Sequence, residues 1–140
     1  MMTRSGSEGI SGSAVIRAAD AMLRALGGDE ITVLFPLVGM PNDPIAQLGL
    51  ADPGVMEVIF SPVVIRVLAA ATSGPRRRLE FLISGTAVAE ELSVRNAATA
   101  EAMFNGALGV VYDGDLFHIE AVTTEYFAGT AYLYKIVGVE

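Results

Sequence analysis

The chain has no cysteine and a single histidine among its 140 residues. Without cysteine there can be no disulfide framework, no zinc–thiolate centre and no thiol nucleophile. Basic residues are also scarce. There are nine against sixteen acidic ones, eight of the nine being arginine, and the net charge is −7. That balance argues against a face built to hold phosphate backbones. Long apolar runs are missing too. Residues 63–65 and 67–71 are interrupted by Arg66, well short of the ~20 residues that a membrane-crossing helix needs. Residues 1–13 are rich in serine and glycine and have no apolar core of the kind a secretory leader carries. No GKS or GKT run occurs, and the glycines at 6, 9 and 12 follow no strand, so neither nucleotide loop is present.

What remains is apolar and rich in alanine. Apolar residues make up 52% of the chain, 20 residues are alanine and 15 more are glycine. This exceeds the roughly 45–50% apolar-plus-glycine share of ordinary domains. One source is simply alanine. The other is apolar surface hidden against further subunits. The length matches one domain, large enough to bury a core without a staple.

Residues 1–12 read as a flexible N-terminal arm, and 13–140 as one β-rich domain. A helix is predicted over 14–26, where Val15, Ala19, Met22 and Leu26 recur at helical spacing before Gly27 and Gly28 stop it. Residues 31–38 form a strand that Pro36 places at an edge or a bend. Residues 40–54 hold three prolines and two glycines and form a long loop. Residues 55–68 read as a strand broken at Ser61-Pro62, or as two short strands. Residues 79–84 form a strand that 87–92 can continue past Gly85. A short helix over 97–107 starts from Ser93 or Asn96. Asp113-Gly114 then joins 108–112 to 115–123 as a hairpin, because both turn positions favour positive φ. Phe117, Ile119 and Ala121 share one face of its second strand. A looser turn at 126–129 leads to a last strand over 131–139. The expected class is therefore mainly β (α+β): a small antiparallel barrel or sandwich with an N-terminal helix and one short helix near 97–107.

Few residues carry chemistry. His118 lacks a nucleophile elbow to serve. Asp113 and Asp115 are explained by the turn they flank. One histidine, no cysteine and no calcium-loop spacing give no metal site. No catalytic residue and no cofactor are expected. Arg76, Arg77 and Arg78 are the one charge cluster. They form a solvated loop tip guarding the edge of strand 79–84, contact an acidic partner or phosphate, or pair with an acidic patch on a neighbouring copy. The aromatics gathered near the C-terminus have only Lys135 beside them, too little positive charge for a stacking groove that holds single-stranded nucleic acid.

Residues 104–140, FNGALGVVYDGDLFHIEAVTTEYFAGTAYLYKIVGVE, resemble the closing hairpin of head–tail joining (head-completion, stopper-like) neck proteins of tailed phages and prophages. The resemblance lies in an acidic-Gly turn, Asp113 and Gly114, an aromatic and aliphatic strand with Phe117 and Ile119, and a final strand with Tyr132 and Tyr134. The helix at 14–26 and the proline-rich 40–54 lie outside that pattern and suit a tail terminator. The resemblance implies a virion protein, made in the host cytoplasm, that forms a homo-oligomeric ring at the head–tail junction. Its partners would be portal or adaptor and tail proteins, with DNA passing through the lumen unread and no membrane involved. Segment 40–54 or 69–78 would project toward the channel or a neighbour. A ligand- or protein-binding barrel unrelated to virions, and an enzyme with an unrecognised site, are the competing readings.

Overall fold

The computed structural model describes residues 12–37, 54–68 and 76–140. Helix α1 (Gly12–Ala25) precedes strands β1 (Asp29–Pro36), β2 (Val55–Leu68) and β3 (Arg78–Ser84). Helices α2 (Gly85–Arg95) and α3 (Ala100–Asn105) follow, then β4 (Gly109–Tyr112), β5 (Asp115–Phe127) and β6 (Thr130–Val139). The six strands close into an antiparallel barrel in the order β1-β2-β3-β6-β5-β4. Of the two architectures expected, the barrel is the one found. Most of the expected arm over 1–12 and loop over 40–54, and residues 69–75 of the segment 69–78, lie outside the described residues; Gly12, the last residue of the expected arm, is already helical.

The topology joins two three-stranded meanders. β3 and β4 lie on opposite sides of the ring, since two strands separate them in either direction. The chain must cross the barrel mouth between them, and α2 and α3 make that crossing. They plug the end they cross: Val88 of α2 and Ala100, Met103 and Phe104 of α3 are buried within the core cluster. The Phe104 ring lies 5.6 Å from that of Phe60. Below it, Phe81 and Phe117 meet edge to face at 5.9 Å, an arrangement favoured by the ring quadrupoles. A barrel of this strand number has room for side chains and little else.

Several local expectations are corrected. Residues 87–92 do not continue β3. Ser84 turns the chain into α2 instead, its hydroxyl accepting a hydrogen bond from the Ala87 amide at 3.3 Å, as a helix cap does. Asn96 ends that helix in the left-handed conformation, φ 54°; it caps a C-terminus, not an N-terminus. Thr99 starts α3, its hydroxyl accepting from the Ala102 amide at 3.1 Å, so the expected helix over 97–107 is confined to 100–105. Residues 55–68 form one strand. Its pairing with β1 shifts between Asp29 and Ile31, which places Pro62 where a missing N–H breaks no ladder. Pro36 ends β1, and β3 has no edge for arginines to guard, because it pairs with β2 and β6. On β5 a register shift between Ile119 and Ala121 reverses the pleat. Ala121 therefore faces solvent, and Val122 packs on the core.

α1 lies on the outside of the barrel. It contacts β2, β3 and β6 as well as α2, and its Leu23 is buried yet belongs to no part of the interior cluster. Gly12 is so close to Thr130 that an added Cβ would come within 2.4 Å of its hydroxyl. The helix thus starts beside the β5–β6 turn and runs down to the opposite end, where β1 begins.

Candidate functional site

The charge cluster and the hairpin meet at the end of the barrel away from the helical plug. Asp113 (φ 52°) and Gly114 (φ 82°) form the two-residue turn, with both left-handed positions filled as the sequence suggests. The Arg77 guanidinium donates to both Glu140 carboxylate oxygens at 3.0 Å and to Asp115 at 2.5 Å. It also lies 5.3 Å from the centre of the Phe117 ring, so it covers the last core aromatic with a cation. Arg78 pairs with Glu120. Arg76 is exposed and forms no ion pair with the described residues. Donating to the Glu140 and Asp115 carboxylates raises the Arg77 pKa further above its ordinary value. In return, the hydrogen bond from Arg77 lowers the Glu140 carboxyl below 4.5. This rim is an ionic seal laid over the Phe117 end of the barrel.

His118 is exposed on the outer face of β5, opposite Val139 of β6. Its ring forms no hydrogen bond or ion pair with the described residues. Among those residues no three histidine, aspartate or glutamate side chains gather as metal ligands, and no helix is long and apolar enough to cross a membrane.

Among the described residues, the helices border recesses that nothing in residue spacing announces. A groove of about 700 Å³ runs between α1, α2 and the start of β6, lined by Ile16, Arg17, Thr86, Glu90, Thr130 and Tyr134 among others. Behind it Asp20 is buried, 7% exposed. One of its carboxylate oxygens accepts from the Thr86 hydroxyl at 2.8 Å, and the other has no partner among the described residues. A smaller recess of about 300 Å³ lies where the Arg95 guanidinium stacks 3.7 Å from the centre of the Phe35 ring.

The outer walls of the barrel differ. On the α1 side, ion pairs cross the strands: Arg66 with Glu80, and Lys135 with Glu125. The opposite wall carries an apolar row beside the exposed Glu30 and Glu57, and among the described residues no ion pair crosses it. Registry aligns Ile59 of β2, Thr32 of β1, Val111 of β4 and Leu116 of β5 in one outward row. Ile59 is 62% exposed and Leu116 42%. Leu34 stands in the next row, and Gly109 has no side chain to raise there; the Leu116 side chain occupies the space over it. No family model, curated protein or solved structure matches this chain.

Proposed function

We propose that this chain is a non-catalytic structural subunit that assembles into a ring at the head–tail junction of a tailed-phage-like particle. The observation that carries this reading is a solid barrel with a bare outer wall. Four phenylalanines, at 60, 81, 104 and 117, are wholly buried inside, and helices and an arginine close the two ends. A small-molecule carrier of barrel form would keep its lumen open, so the interior argues against that competing role. The wall of Ile59, Val111 and Leu116 is the kind of surface that subunit contacts cover. The net charge of −7 suits a component that DNA must pass without adhering. The closing hairpin at 104–140 supplies the link to neck proteins.

The test is reconstitution. The purified chain is mixed with the portal complex encoded in the same genome, and with the tail tube, and examined by negative-stain microscopy and native mass spectrometry. A symmetric ring seated on the portal is expected. Binding only to the end of the tail tube would assign a tail terminator instead. A chain that ignores both assemblies overturns the proposal.

A further inference from the structure

The bare wall has a counterpart on the far side of the molecule. α1 is centred on β3, and the strand diametrically across the barrel from β3 is β4, the middle of the bare wall. The outward side of α1 is also apolar: Ala18, Met22 and Ala25 are exposed at helical spacing, with Met22 60% exposed and Leu26, just beyond the helix, 64%.

Exposed charges differ between the two faces, with Glu90 sharing the α1 groove with Arg17 and Arg76 standing apart at the rim. Arg66, Arg77, Arg78, Arg95 and Lys135 all engage in ion pairs within the chain. Arg17 and Arg24 of α1 are exposed and have no such partner among the described residues. Across the barrel, Glu30 and Glu57 are also exposed and form no ion pair with the described residues. Glu57 lies in the outward row of Leu34, and Glu30 alternates with buried Ile31. Their heights match. Arg24 and Glu30 lie toward the end where α1 hands over to β1, while Arg17 and Glu57 lie toward the helical plug.

We infer that copies of this chain join head to tail, the α1 stripe of one copy seating on the β1–β4 wall of the next with barrel axes parallel. Met22 and Leu26 then cover Ile59, Val111 and Leu116, Arg24 meets the neighbour's Glu30, and Arg17 meets its Glu57. Two different faces on opposite sides of a subunit cannot satisfy each other in a two-fold dimer. They propagate, and close only as a ring. This rests on the structural-subunit reading and assigns the surfaces that it requires.

Two singly blocked variants test it. Met22→Glu spoils the helix face and leaves the wall intact; Ile59→Glu does the reverse. Both positions are exposed, so circular dichroism and thermal melting are expected to match the wild-type chain. Native mass spectrometry and sedimentation should show oligomers of the wild type and monomers of each variant alone. Mixing the variants should yield a one-to-one pair that grows no further, because one good helix face meets one good wall. In a second arm, Arg24→Glu weakens assembly at least tenfold and adding Glu30→Arg to it restores assembly. A wild-type chain that stays monomeric, a blocked variant that assembles like wild type, or a mixture that stays monomeric overturns the inference. Rings of both variants on the portal would refute this contact and leave the proposed function standing. Pairing through these faces without portal or tail binding would do the opposite.

Discussion

Tyr134 shows how one side chain registers its surroundings. It is buried where β6 meets the groove behind α1, and burial, followed by the electrostatic influence of Tyr126 and Glu101, raises its phenol above 10.0. Tyr112 is raised as well, by burial and then by Asp29 and Asp113. A pKa raised on folding means that the folded state holds the proton more tightly. The resulting stability is complete below pH 10.0 and is lost as pH climbs through the folded values. Tyr134→Phe is therefore expected to flatten the alkaline fall in thermal stability, leaving the share that Tyr112 contributes. Melting curves taken across that range check this, and an unchanged slope refutes it. The rim shows the limits of reading single residues. Arg76, Arg77, Arg78, Asp113 and Gly114 are legible in the sequence as a cluster and a turn. That Arg77 seals the barrel is not, because its partners lie 38 and 63 residues away.

Secondary structure was most legible where side chains alternate cleanly. The hairpin from β4 to β5 and the last strand follow directly from Asp-Gly and from the alternation of Tyr134, Ile136 and Gly138, all turned inward. It failed where the chain leaves β3. The stretch LEFLIS ends in a serine that caps a helix, and AVAEEL carries Val88 and Leu92 four residues apart with alanine and glutamate between them, a helical pattern overshadowed by the strand before it. The bulge near Glu120 was invisible for a different reason: one extra residue changes which face every later side chain takes. The helices deserve the weight the fold gives them. Phe104 belongs to a six-residue helix too short to persist alone, so its ring against Phe60 is what holds the plug in place. Phe104→Ala is expected to cost about 3–5 kcal/mol, read from urea denaturation. A loss under about 1 kcal/mol would mean that the plug is not part of the cooperative core.

At the scale of the whole molecule, strand order could not be read from sequence. Hairpins announce neighbours, but the seams β3–β6 and β1–β4 join meanders on either side of the helical crossing. Those seams also make the barrel one cooperative unit. Separate expression of 1–97 and 98–140 would leave each meander with open edges, which recruit other strands. Aggregation of each piece alone, and recovery of a soluble complex with the circular dichroism of the intact chain on co-expression, is the expected outcome. Two pieces that are each soluble and folded would refute it. The stacked phenylalanines along the axis have a further architectural meaning. A barrel whose axis is solid is a stave and not a pipe. Whatever travels through an assembly of these chains must travel between copies. In the ring proposed above, the bore would be set by how many copies close the circle, so that a small change in the angle of one contact, repeated around it, would widen or narrow the whole passage.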